Sequence, residues 1–574
     1  MKKNTILTIT LGLCLGLGNQ ALAQYDKAAR VVYKTYSNGK DVSGDSYTEL
    51  VYANGAARIQ TVKPGGNRIA EVPKEATYID FGKESIYQMA DLYTGKRVST
   101  VTEFAKLPKF EVTSETETIL GFKCKKAKAV LFSNTIEVYF TEEAGVKGSP
   151  QSSYCPNSGL VLKVVRNGNS MVKAEKVEYL KKKQIPTSVL PASYGDIMPD
   201  IRYRSMVVGS YIKTVDVFTN EQICWGSTRV NPSNEEAANE TFSYAGGTVI
   251  MKKVKLPKVP QSANAFVELV QYSNGDAYDR TGSIFIVPTD KKQSFMEGIR
   301  KGAKVLPIYT DKQGKEYPGV VATPEFSPII ELMRFFTSFG VKHFNGYRAV
   351  EGLNWRDSSF FKQDVTELLP ALEGEVWVGA FIGNYDKGGH KVSLKIKYHL
   401  NETEISKAPE KKYWIKPIFA TINVLEMGGQ PYSTMFKDDS LRVKFDVPKG
   451  VKNVTLRYIT TGHGGWDTGD EFVPKRNELF LDGKSIYSFT PWRTDCGTYR
   501  EYNPASGNFW NGISSSDLSR SGWCPGTLTN PVYVPISGLS EGMHEMKVYI
   551  PLGEPEGSSF SHWCLSGVLV GEIE

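Results

Sequence analysis

Short alternating or apolar runs cut by turn dipeptides constrain the fold of this chain more than any other feature. In "SYTELVYANGAARIQTV" two runs flank Ala53-Asn54-Gly55, in "GLVLKVVRNGNSMVKAEKVEYL" they flank Asn167-Gly168, and in "ELFLDGKSIYSF" they flank Asp482-Gly483. Asn-Gly and Asp-Gly accept the positive φ angles that tight hairpins demand, and a period of two sends alternate side chains to one face. The pattern recurs in "NTIEVYF", "GSIFIVP", "GEVWVGAFIG", "KVSLKIKYHL", "SLRVKFDV", "NVTLRYITTG", "HEMKVYIPL" and "SGVLVGEIE". Long helical periodicity is absent. Short helices are expected at 293–302 and 327–335, the second equally readable as a strand. The fold class is therefore all-β.

A chain of 574 residues, 40% of them hydrophobic, has material for several cores. Residues 181–200 carry three prolines and little periodicity, which reads as a linker; residues 401–414 are a second boundary candidate. The expected domains are a β-rich one over 24–190 and two of jelly-roll size and strand density over 200–402 and 413–574. The first residues read as a targeting signal over 1–23. Lys2 and Lys3 precede an apolar run from 6 to 17, and Ala21-Leu22-Ala23 is an A-x-A cleavage site. That run is too short to span a bilayer, and no later segment is long enough. The expectation is an exported chain, periplasmic or secreted, without stable membrane insertion.

The net charge is +7, spread along the chain. Runs such as Lys181-Lys182-Lys183 lack interleaved aromatics, which argues against a nucleic-acid partner. Without Cys14 in the leader, six cysteines remain: Cys124, Cys155, Cys224, Cys496, Cys524 and Cys564. An even count in an exported chain favours disulfides, and there is no C-x-x-C. Sequence proximity favours Cys124–Cys155 and Cys496–Cys524; Cys224 and Cys564 either pair or stay as buried thiols.

Six scattered histidines show no metal-ligand spacing, and no nucleophile elbow, phosphate loop or dinucleotide fingerprint is present. No metal or cofactor is expected. Carboxylates carry what chemistry is visible. "NGDAYDRTGSIFIVP" puts Asp276 and Asp279 beside Tyr278 and Arg280 where a turn enters a strand. The Gly-rich block "TTGHGGWDTGDEFVPKRNELFLDG" presents His463, Trp466, Asp467, Asp470 and Glu471 close together. Each could equally be a solvated turn. Five of nine tryptophans (Trp466, Trp492, Trp510, Trp523 and Trp563) lie beyond residue 460, in the last domain. Several stand among Gly, Asn and Ser, a setting that suits sugar rings as well as the cap of a sandwich core.

Taken in order, "GDAYDRTGSIFIV", "DVTELLPALEGEVWVGAF", "TTGHGGWDTGDEF" and "CGTYREYNPASGNFWNGISSSDLSRSGWCPG" resemble the peptide-N-glycosidase F family over residues 215–574. The resemblance implies two adjacent eight-stranded antiparallel jelly rolls with the site at their interface. It implies that Asp279 is the principal catalytic aspartate and Glu471 a second catalytic acid. Arg520 and Trp523 fall on substrate-binding positions, Tyr278 where the family has Trp, and Arg280 on an Arg; Asp276 and His463 stand beside them as further substrate-side candidates. Cys496 and Cys524 match a family disulfide. The family's third acid would fall within 378–386, where this chain has no Glu and Asp386 or a water is the candidate replacement. Two small disulfides of the family are replaced by Gly275, Gly469 and Val473. The stretch "ILGFKCKKAKAVLF" and "YCPNSGLVLKV" is loosely similar to a small exported β-rich family named for a Gly-Leu-Pro-Gly-Leu-Ile motif, and longer glycosidase members carry an extra N-terminal domain of this kind.

The function so implied is hydrolysis of the amide between an asparagine side chain and the first N-acetylglucosamine of N-glycosylated peptides and glycoproteins, by a monomer. Two rivals use the same features. A glycoside hydrolase also employs two carboxylates, and a non-catalytic glycan-binding protein is compatible with the scaffold.

Overall fold

The computed structural model describes residues 25–64, 73–92, 94–347, 349–400, 412–437, 439–464, 469–507, 510–553 and 560–573. The expected leader over 1–23, most of the second boundary segment, and Trp466 and Asp467 lie outside them. The chain is all-β, with sparse short helices, and divides into two compact units, Met1–Tyr211 and Ile212–Glu574. Among the described residues no helix is long and apolar enough to cross a membrane.

The described residues of the first unit build one thirteen-stranded sheet. Ala29–Ser37 pairs antiparallel with Tyr47–Ala53 on one side and Ser170–Tyr179 on the other. Both Asn-Gly turns expected here form, with Asn54, Gly55, Asn167 and Gly168 all at positive φ. Two expectations are corrected. The boundary falls after Tyr211 rather than inside 181–200: Asp196–Ile197 adds a strand parallel to Arg97–Glu103, and the helix Asp200–Ser210 packs Tyr203 and Val207 on Ala90, Leu92 and Val98. Cys124 and Cys155 are free thiols. Cys124 points into the core that holds Leu50 and Ile79, whereas Cys155 packs against Ala127 and Val138, which face the opposite side of the sheet.

The second unit contains two sandwiches. In the first, the sheet Ile212–Ile223, His390–His399, Asn264–Ser273, Ser359–Asp364 faces a six-stranded sheet. That sheet runs Thr241–Tyr244, Val249–Leu256, Gly374–Ile382, Thr281–Val287, Ile330–Phe336, Leu528–Thr529. Val267, Leu269 and Ile396 meet Ile284, Ile286, Leu332 and Val378 between them. The first sandwich has nine strands of its own, one more than expected, because Thr241–Tyr244 forms a hairpin with Val249–Leu256 at the sheet edge. Its tenth strand, Leu528–Thr529, comes from the second half of the chain. Thr281–Val287 is apolar without alternation because both its faces are buried: Ile284 and Ile286 face the sandwich core, while Phe285 and Val287 meet an outer layer with Phe295 and Ile299 of the helix Phe295–Lys301. Residues 330–336 form a strand, not a helix.

The second sandwich packs Lys412–Ala420, His562–Ile573, Val451–His463, Val532–Pro535 on Leu441–Val447, Gly542–Tyr549, Asn477–Leu481, Lys484–Phe489. Leu441–Val447 shows the simplest half-buried pattern, with Leu441, Val443, Phe445 and Val447 inward and Arg442, Lys444 and Asp446 outward. Two buried arginines fasten the sandwiches. Arg334 is held by Glu331 in the first (2.8 Å) and donates to Thr461 Oγ1 in the second (3.1 Å). Arg457 of the second donates to the carbonyls of Glu331 (2.8 Å) and Leu332 (3.0 Å) and to Glu367 (2.7 Å) in the first.

Candidate active site

The turn before Thr281–Val287 is built tightly. Asn274 N donates to Gly389 O (2.8 Å), and Gly275 adopts φ +154°, where a Cβ would meet Asp386 Oδ1 at 2.8 Å. Asp276 is buried under the turn. It accepts from Tyr278 N (3.0 Å) and Arg280 Nε (2.8 Å) and lies 3.4 Å from His390 Nε2. Burial alone would raise its carboxyl, but His390 and Arg280 pull it down to about 2. Asp276 therefore anchors the turn and aims Arg280, whose guanidinium lies 4.9 Å from the Tyr278 ring and 5.5 Å from the Tyr385 ring. Tyr278 is 60% exposed. Asp279 follows at the mouth of the strand.

Glu471 comes from the second sandwich. After Val451–His463 the chain turns at Gly464 (φ +85°), where a Cβ would stand 1.9 Å from Phe560 O. Asp470 then pins the loop, accepting from Trp563 Nε1 (2.6 Å) and Gly553 N (2.9 Å). Glu471 N donates to Gly464 O (3.3 Å) and Ser521 N to Glu471 O (3.0 Å).

Arg520 joins the two acids. Its Nη1 lies 3.1 Å from Asp279 Oδ2 and ion-pairs with Glu471 Oε1, while Nη2 donates to Ser515 O (2.8 Å). The guanidinium rests on Trp523 (4.4 Å) and Phe472 (4.9 Å). Trp523, 3% exposed, stacks on Phe336 and donates to Gly462 O (3.1 Å), so it supports Arg520 from behind. His463, equally buried, packs behind Trp523 and is held neutral mainly by burial. Burial raises both carboxyls, Glu471 to about 7; Arg520 opposes the rise in each, and the charge of Asp279 adds to that of Glu471. Among the described residues Asp279 Oδ2 has no hydrogen bond beyond its ion pair with Arg520, and Arg520 Nε has no partner.

Sequence reasoning missed the opposite wall. Glu426, on the loop between Lys412–Ala420 and Leu441–Val447 of the second sandwich, accepts from both Tyr385 and Tyr432, whose hydroxyls lie 3.3 Å apart. Its Oε2 would be 3.9 Å from a Cβ at Gly383, inside the segment expected to carry the third acid. Asp386 is occupied elsewhere, accepting from Gly388 N (2.7 Å) and Gly389 N (2.8 Å). The Tyr432 ring is tilted against His562 (4.6 Å), which stacks on His463 (5.2 Å). A chain of side-chain contacts thus runs from Arg280 through Tyr385, Tyr432, His562, His463 and Trp523 to Arg520. Nothing in "VLEMGG" marks Glu426 as part of it. Cys496 and Cys524 form the expected disulfide beside Trp523, and Cys224 and Cys564 are separate buried thiols.

Residues 214–398 match the family model described as peptide-N-glycosidase F, N terminal, and residues 431–570 the one described as peptide-N-glycosidase F, C terminal. Residues 31–204 match a model described as N-glycanase peptide, N-terminal domain. The solved structure of PNGF-II in its P21 crystal form is 44% identical over 96% of this chain and 100% of that chain, with a TM-score of 0.80. The C2 form is 44% identical over 96% of this chain and 98% of that one, with a TM-score of 0.74. A search of curated proteins finds no match. The chain belongs to the peptide-N-glycosidase F family and is an enzyme of that kind, with an additional N-terminal domain.

Proposed function

We propose that the chain hydrolyses the amide joining an asparagine side chain to the first N-acetylglucosamine of N-glycosylated peptides and glycoproteins. One observation carries the reading: two acids from different sandwiches meet on one guanidinium, Asp279 Oδ2 and Glu471 Oε1 both facing Arg520 Nη1, while Arg520 Nε has no partner among the described residues. Amide hydrolysis needs that combination. Asp279 takes a proton from the attacking water as oxygen bonds to the amide carbon. Arg520, with Arg280 near, stabilises the negative charge that develops on the carbonyl oxygen. Glu471, titrating near neutrality, returns a proton to the leaving nitrogen as the C–N bond breaks. Aspartate remains on the peptide, and the glycan leaves as a glycosylamine that later loses ammonia in water. Glu426, held by two phenols, stands in for the family's third acid on the Arg280 side. Trp523 and His463 act as positioning residues, whereas Tyr278 offers an exposed ring to substrate. The chain is exported, in keeping with the Cys496–Cys524 bridge.

The test is to incubate the protein with a defined N-glycopeptide and weigh both products. An asparagine converted to aspartate with no sugar attached supports amide cleavage. A residual sugar on asparagine means a glycosidase, and glycan binding without turnover means a lectin. Asp279→Ala at full rate would refute the site assignment.

A further inference from the structure

Two concavities of about 790 and 490 Å³ lie apart from the acids; Asp279, Glu471 and Arg520 line neither. Both are in the size range of small-ligand sites, about 300–1,000 Å³. Asn530 lines both, and residues 360–362 line one while Gln363 and Asp364 line the other. They form one trough along Ser359–Asp364, the edge strand of its four-stranded sheet. Segment 520–523 is a shared wall: Arg520 reaches Glu471, while Gly522 lines the trough.

The walls are rich in aromatic rings. Trp492, Tyr499 and Tyr502 line the wider end and Tyr413 and Tyr533 the narrower. Most charges there are paired: Lys362 with Glu268 (3.2 Å), Arg493 with Asp495 (2.6 Å) and Glu367 with Arg457 (2.7 Å); Asp364 accepts from Thr366 N (2.9 Å) and keeps its negative charge. Gln363, 6% exposed, contributes an Oε1 with no hydrogen-bond partner. A buried acceptor without a partner calls for a donor. An anionic ligand would find Lys362 and Arg493 already paired and would meet the Asp364 carboxylate. An extended peptide would pair with the strand edge, but Asp364 O is already taken by Gln363 Nε2 (3.1 Å). A sugar chain matches what is left, its C–H faces on the rings and its hydroxyls on Gln363 and Asn530.

We propose that this trough is a second carbohydrate site, taking a neutral oligosaccharide independently of the catalytic cleft. It would hold another arm of the substrate glycan, or a neighbouring glycan on the same glycoprotein, and raise the local concentration of substrate. The test is amide hydrogen exchange of the full chain with a free N-glycan as probe and, separately, with a short unglycosylated peptide. The glycan should slow exchange at 489–495 and 527–533. Trp492→Ala, and independently the exposed Asn530→Ala, should weaken that binding about tenfold, the size of one lost aromatic or polar contact, and leave turnover of a small glycopeptide within about twofold. Unchanged exchange with the glycan, or protection by the peptide instead, overturns the proposal. Because small-glycopeptide turnover is read separately, that failure leaves the amidase reading standing.

Discussion

Asp276 and Asp279 stand three residues apart with opposite electrostatic environments. Asp276 faces Arg280 and His390, and its carboxyl falls to about 2. Its contribution to stability is present above about pH 4, the usual range of an unfolded aspartate, and is lost as pH falls toward about 2. Asp276→Asn should cost about 3–5 kcal/mol at neutral pH, as expected for one partner removed from a buried ion pair, and should abolish that acid-limb loss in urea unfolding. Glu471 has the reverse sign. Its folded carboxyl is raised to about 7 by burial, so the folded state keeps a proton the unfolded chain has shed, and stability falls as pH rises from about 4 to about 7. Glu471→Gln should therefore melt higher than wild type at about pH 8, melt alike at about pH 4, and lose about 10²–10⁴-fold in turnover. Asp279, Glu471 and Arg520 were legible because each lies in a motif. Glu426 was not, since its place depends on how a loop of the second sandwich folds against Gly383 of the first.

At the scale of elements, the segment 520–524 carries both Arg520 and the Trp523 that supports it, and the Cys496–Cys524 bridge fixes its end. With a sequence separation of 28 between the cysteines, the bridge should contribute about 3–4 kcal/mol by limiting the unfolded chain. The double substitution Cys496→Ala, Cys524→Ala should lower Tm accordingly and reduce turnover further than the loss of folded protein explains, because Trp523 loses its tether. The strands were readable from period-two runs and from turn residues that need positive φ. The helix Asp200–Ser210 was not, because its buried face is only Tyr203, Val207 and Ser210, one of them polar. Proximity suggested a Cys124–Cys155 bridge, yet Cys124 points to one face of its sheet while the loop carrying Cys155 packs against the other, which sequence distance does not encode.

On the scale of the whole catalytic unit, chemistry depends on the register between two sandwiches. Arg457 spans it, holding two carbonyls and Glu367 across the interface. Arg457→Ala should destabilise the unit by about 3–5 kcal/mol and lower kcat even where the protein remains folded, since Asp279 and Glu471 would no longer share Arg520. Circular dichroism melting and initial rates at low temperature separate the two effects. The division of labour between the acids is tested most directly by running the reaction on a defined N-glycopeptide in heavy-oxygen water and reading the peptide product by mass. The account predicts an unglycosylated peptide whose new aspartate carries one heavy oxygen, formed by wild type and suppressed in Asp279→Asn. A peptide that keeps a sugar on asparagine, or an aspartate without the label, would contradict it.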